Sequence, residues 1–248
     1  MKLSDILYER VREQWEEARN KPFVMEMAKG ILSEGRFRYY MLQDYLYLQD
    51  YIGLLTKTLA LADDPALADF LKKIINETEH EARRVHLPHM KKTGITDEDI
   101  ASCKRSQVII DYIQYMKNQL EQGGIVAGLT SLLQCSWIYA YIAECMLLNY
   151  PKEIASSPYR FWFDSYACPE YADANRKWID VLDREAAEIS QEKAEKLCRI
   201  FETCADFENR FWDALYRHDL NSLNRMKLSQ ENRNFLRVKN SRTTNDSH

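Results

Sequence analysis

The sequence predicts an all-α protein folded as a single-domain antiparallel helical bundle, on three observations. Apolar residues recur at helical spacing along most of the chain, and nowhere do several residues alternate cleanly as a half-buried strand would. Seven glycines and six prolines in 248 residues leave few breaks. A composition of 46 % hydrophobic and 29 % charged residues suits one large core with a solvated surface.

Punctuation along the chain sets the elements. Helices are expected at about 3–19, 22–30, 36–62, 65–91, 97–121, 124–149, 158–187 and 190–218. In "ADDPAL", Asp64 is placed to cap a helix whose first residue is Pro65, and in "GITDED", Thr96 caps with Asp99 three residues on. "QGG" at 122–124 ends one long helix and releases the next. Pro151, Pro158 and Pro169 divide the region from 150 to 170 into short helical pieces joined by turns. Residues 1–220 thus read as the helical domain. Residues 221–248, rich in Asn, Ser and Arg, read as a partly disordered polar tail with one docked turn around Phe235 to Val238.

Charge and composition exclude several function classes. A net charge of −4, with no Lys/Arg run beside an aromatic platform, offers no field for collecting phosphates, so no nucleic-acid partner is expected. The N-terminus, "MKLSDILYERVREQWEEARN", lacks the apolar core of a secretory signal. No stretch is expected to span a bilayer, which takes roughly 20 apolar residues, and a cytoplasmic location without a membrane partner is expected. The six cysteines show no Cys-x-x-Cys spacing and read as reduced thiols, most of them small core residues. Gly-x-Ser-x-Gly, Gly-x-Gly-x-x-Gly and Walker patterns are absent.

Three segments carry groups that can do chemistry. In "YYMLQDYLYLQDYIG", Asp44, Tyr47 and Tyr51 share a helical face with Leu48 and Leu55, so a carboxylate sits in an apolar, phenol-lined stripe. Buried, it needs donors from tyrosines or a ligand's amino group; otherwise this face is the solvated one. "LLQCSWIYAYIAE" sets Cys135 and Tyr139 one turn apart, either as a phenol supporting a thiolate or as plain core. In "CADFENRFWDALY", Glu208, Phe211 and Trp212 share a face: an acid beside two rings that could hold a flat heterocycle, or an exposed glutamate beside a core pair. A competing pattern is the Glu-x-x-His of Glu77 and His80, found in carboxylate-bridged di-iron bundles. It lacks a second such pair, and residues 77–89 read as a charged helix with histidines favoured by its dipole.

Taken together, "DYLYL" at 44–48, "YIQYM" at 112–116, "LQCSWIYAYIAE" at 133–144, "FWFDSY" at 161–166 and "ENRFWD" at 208–213 resemble the thiaminase II (TenA) family in order and spacing, over residues 1–218. The resemblance implies the haem-oxygenase-like fold, a homotetramer, and hydrolysis of 4-amino-5-aminomethyl-2-methylpyrimidine to its 5-hydroxymethyl counterpart and ammonia. Cleavage of thiamin into pyrimidine and thiazole is implied as a further activity. It assigns Cys135 as nucleophile, Glu208 as acid/base, Tyr47 as activator of the thiol and Asp44 as the carboxylate on the pyrimidine's amino edge. Tyr112, Tyr139, Tyr166 and Phe211 become pocket residues. No metal or organic cofactor is implied, and His80, His86 and His89 receive no role. A haem-oxygenase-like di-iron oxidase and a non-catalytic pyrimidine-binding protein remain the alternatives.

Overall fold

The computed structural model describes residues 2–218, apart from the side chains of residues 84 and 85. Eleven α-helices and one π turn make up the secondary structure of these residues, and no strand occurs among them. The order is α1 (Leu3–Arg19), α2 (Pro22–Ala28), α3 (Glu34–Leu59), α4 (Pro65–Glu81), the π turn Ala82–His86, α5 (Leu87–Lys92), α6 (Asp97–Ser102), α7 (Gln107–Asn149), α8 (Pro151–Ser156), α9 (Arg160–Tyr166), α10 (Pro169–Glu185) and α11 (Gln191–Arg217). The polar tail expected at 221–248 lies outside the described residues.

The caps form as the sequence indicates. Asp64 accepts hydrogen bonds from the amides of Ala66 (3.2 Å) and Leu67 (3.1 Å), with Pro65 in the first turn where a missing N–H leaves nothing unsatisfied. Thr96 and Asp99 close a reciprocal box at 3.1 and 2.8 Å. Gly124, at φ 72° and ψ −165°, breaks α7 into two helices in a backbone region that side chains scarcely adopt.

Three expected helices are divided, the span 158–187 at Ala167 and Cys168, just before Pro169. The span 65–91 stops at Glu81 and widens into the π turn, where the Leu87 amide reaches back to the Ala82 carbonyl. Pro88 comes next, with no amide to continue the α ladder and a ring that crowds the turn before it. The span 97–121 is interrupted at 103–106, where the buried Gln43 of α3 substitutes for the ladder. Its amide donates to the Lys104 carbonyl at 2.9 Å, and its oxygen accepts from the Ser106 amide at 2.7 Å.

α7 is the axis of the bundle, in contact with α1, α3, α8, α9, α10 and α11. A helix packed on all sides is apolar all round. Its length and composition pass as a membrane span, contrary to the sequence expectation, but 72 % of the apolar stretch is buried against its neighbours. α11 lays Phe201, Cys204, Glu208 and Phe211 along α7, and α3 faces it with Asp44, Tyr47 and Tyr51. The inward faces of α3, α7, α9 and α11 therefore converge on one region of the core.

Candidate active site

The Asp44 face of α3 is the buried one, with Asp44 only 3 % exposed among Tyr40, Tyr47 and Tyr51. These side chains line a cavity of about 300 Å³ together with Cys135 and Tyr139 of α7, Trp162 and Tyr166 of α9, Glu81 of α4 and His86 of the π turn. A narrow extension of about 10 Å³ shares Tyr47 and Tyr139 with it and is closed by Tyr112, Glu208 and Phe211. All eight residues singled out in the sequence thus lie on two adjoining compartments. Trp212, grouped with Phe211 from the sequence, is instead fully buried core, tilted against Phe23 at 5.5 Å and Tyr139 at 5.5 Å.

Asp44 has two donors. The Tyr40 hydroxyl reaches its Oδ2 at 3.1 Å, and His86 Nε2 lies 2.6 Å from the same oxygen, with His86 itself 3 % exposed. Burial disfavours the imidazolium, but the bond to Asp44 and the charges of Asp44 and Glu81 outweigh it, so the His86 pKa is raised. The sequence reading gave this histidine no role and placed it in a charged helix, favoured there by the helix dipole. The structure corrects that: the π turn carries it inward. Tyr40 stands four residues before Asp44, a helical spacing that the sequence displayed. Nothing in the sequence linked Asp44 to His86.

Glu208 is 2 % exposed. Burial pushes its pKa up to about 8, against the opposing hydrogen bonds from Tyr112 and Cys135, with the charge of Asp44 adding to the rise. It is therefore a carboxylic acid at neutral pH, ready to donate. The Cys135 side chain is half-buried, and its thiol is raised well above the ordinary cysteine range by burial first and by Glu208 second. Tyr47 opposes that rise by hydrogen bonding, although its hydroxyl has no fully formed bond to any protein atom. An orphaned buried phenol beside a thiol is a donor awaiting a developing thiolate or a ligand.

The remaining phenols are anchored. Tyr112 donates to Gln134 Oε1 at 3.2 Å and stacks on Phe207 at 5.1 Å and 9°, and its ring also stacks on that of Tyr47 at 5.8 Å and 26°. Tyr166 donates to Glu81 Oε1 at 2.8 Å and meets Tyr139 edge-on at 5.0 Å. Gln134 and Glu81 are site supports that the sequence reading missed, because each pairs across 22 and 85 residues. The resulting slot has aromatic walls, a thiol, a protonated acid and a hydrogen-bonded carboxyl: it suits a flat polar heterocycle.

Glu77 and His80 sit at the rim, with Glu77 paired to Lys73 at 3.6 Å. Among the described residues no group of three or more His, Cys, Asp or Glu side chains is arranged to hold a metal ion, which leaves the di-iron alternative without a ligand set there.

The sequence model of the TENA/THI-4/PQQC family matches residues 8–218. The chain is 30 % identical to an aminopyrimidine aminohydrolase of Halalkalibacterium halodurans over 216 residues, covering 87 % of this chain and 96 % of that protein. A protein of the same name from Helicobacter pylori is 27 % identical, with 87 % and 99 % covered. Of the solved structures, the TenA homologue from P. horikoshii OT3 superposes with a TM-score of 0.79 at 27 % identity, covering 88 % of this chain and 99 % of that one.

Proposed function

The chain belongs to the TENA/THI-4/PQQC family, and from that premise we propose that it is an aminopyrimidine aminohydrolase acting in thiamin salvage by covalent cysteine catalysis. It converts 4-amino-5-aminomethyl-2-methylpyrimidine and water to the 5-hydroxymethyl pyrimidine and ammonia. Thiamin is a second substrate, cleaved at the same carbon with the thiazole as leaving group. The observation that carries this reading is the pairing of the Cys135 thiol with the buried Glu208 carboxyl where the phenol-lined cavity meets its narrow extension.

Each residue then has a step. Asp44 accepts from the ring's amino group while Tyr139, Tyr166 and Phe211 border the ring and Tyr112 braces Tyr47 and Glu208. Glu208 gives its proton to a ring nitrogen, which makes the neighbouring ring carbon electrophilic. The thiol proton passes to the Glu208 carboxylate so formed, and the sulfur bonds to that carbon, with Tyr47 donating to the sulfur as its charge develops. The ring-nitrogen electron pair of this adduct expels the exocyclic amine, leaving as ammonia from its ammonium form. Water adds to the exocyclic carbon and loses a proton. The sulfur then departs with its bonding pair and regains a proton, and the ring nitrogen loses the one it had gained. No electron is gained or lost overall, and no external acid is consumed.

Residues 1–220 are taken as the catalytic domain, with 221–248 a polar appendage, and the enzyme as a cytoplasmic homotetramer. The deciding experiment is turnover by the purified protein of the aminomethylpyrimidine and thiamin side by side. Release of ammonia and hydroxymethylpyrimidine is expected; no turnover of either compound by folded protein would overturn the reading.

A further inference from the structure

We propose that His86 is a positioning residue that fixes the polarity of Asp44, so that the cavity selects a ring substituent that donates a hydrogen bond over one that accepts it. Choice of the pyrimidine as ligand rests on the function proposed above; the pairing of the two side chains does not.

The geometry divides the carboxyl in two. Oδ2 carries both protein donors, His86 Nε2 at 2.6 Å and the Tyr40 hydroxyl at 3.1 Å, and Tyr40 is itself held by Trp162 Nε1 at 2.8 Å. Among the described residues no hydrogen bond reaches Oδ1, and Asp44 lines the cavity. One oxygen is committed to the protein and the other is left for a ligand. An ionised carboxyl only accepts, so its ligand must donate.

A buried carboxylate needs a counter-charge or it takes up a proton and becomes a donor as well. Among the described residues no lysine or arginine lines this cavity, and the one basic group on Asp44 is the imidazole, buried beside it. The acidic groups around His86 are Asp44 of α3 and Glu81 of α4, with Tyr40 of α3 and Tyr166 of α9 bonded to them. Burial lowers the His86 pKa, but the bond to Asp44 and these charges outweigh it and raise the pKa overall.

Local structure supplies the reason for the π turn. One extra residue in a turn rotates the succeeding helix by about 100° relative to an uninterrupted one, and such turns recur at functional sites. Here it delivers His86 to Asp44 from a segment whose neighbours, Arg83 and Pro88, are exposed.

The test uses wild type, His86→Gln and His86→Phe, with calorimetric binding of 4-amino-5-hydroxymethyl-2-methylpyrimidine and its 4-oxo counterpart. Wild type is expected to prefer the amino compound by at least about tenfold, and both variants to lose most of that preference. In turnover, KM for the aminomethylpyrimidine should rise in His86→Gln with kcat less affected, which a merely destabilised fold would not produce. In parallel, side-chain nitrogen NMR of ligand-free wild type and Asp44→Asn follows the His86 titration, whose midpoint should fall by about one pH unit when the carboxylate is removed. An unchanged amino/oxo preference in folded His86→Gln, or a His86 midpoint indifferent to Asp44→Asn, overturns the proposal. Failure of both pyrimidines to bind wild type would sink the pyrimidine reading instead, and the titration then decides the pairing alone.

Discussion

Trp162 Nε1 donates to the Tyr40 hydroxyl at 2.8 Å, and that bond settles where the phenol's own proton goes: to Asp44 Oδ2, at 3.1 Å. All three residues are buried, so each link satisfies a polar group that would be costly to leave unpaired. Tyr40→Phe keeps the ring and its packing but orphans the indole N–H and removes one donor from the carboxyl. A stability loss of about 1–3 kcal/mol is expected, read as a lower denaturant midpoint with unchanged slope. A loss within measurement error would mean that the relay is not formed in solution.

Gly124→Ala probes the break in α7. No atom lies within 4 Å of a Cβ built there, so the effect comes from the backbone alone, held at φ 72° and ψ −165°. That region is nearly exclusive to glycine, and destabilisation of about 1–3 kcal/mol is expected. Thermal unfolding measures it. Cys135 lies about three helical turns beyond, and once folded the variant should keep its activity; loss of turnover at full stability would show instead that the break itself aims the catalytic half of the helix.

Much of this was legible in the sequence, for reasons that particular residues make plain. Asp64, Thr96 and Gly124 act within a few positions of themselves, and local rules found all three. Helical periodicity likewise put Asp44, Tyr47 and Tyr51 on one face and Glu208 with Phe211 on another. Periodicity cannot say what lies opposite a face, so Gln43, Gln134 and Glu81 stayed invisible, their partners lying 61, 22 and 85 residues away. His86 was misplaced for a different reason: the π turn shifts the register on which every face assignment depends.

Cys135→Ser tests the nucleophile. The volumes are similar and the site half-buried, so folding should be little altered, while the loss of a polarisable sulfur should lower turnover by several orders of magnitude. Binding of the hydroxymethyl product should persist. Hydrolysis at near-normal rate by the serine variant, measured as ammonia release, would exclude covalent catalysis at this position.

Glu208→Gln separates chemistry from stability, because burial makes the two pull in opposite directions. The folded pKa, raised to about 8, lies above the ordinary carboxyl value, so between those two values the folded protein holds a proton that the unfolded chain has released. Stability contributed by the protonated acid is complete below the unfolded value, declines as pH rises toward about 8, and has gone above it. Glutamine does not titrate, so the variant should equal or exceed wild type in stability at pH 8, with a flatter dependence on pH. Turnover should behave in the reverse sense, falling by roughly two to four orders of magnitude because the amide cannot pass a proton to the ring nitrogen. The wild-type rate should also lose activity as pH rises through about 8, where the acid form disappears, and the residual rate of the variant should lack that limb. Thermal midpoints and kcat measured from pH 6 to pH 9 on both proteins check all three outcomes. A variant that is less stable at pH 8 yet fully active would remove Glu208 from the chemistry and return it to a structural role.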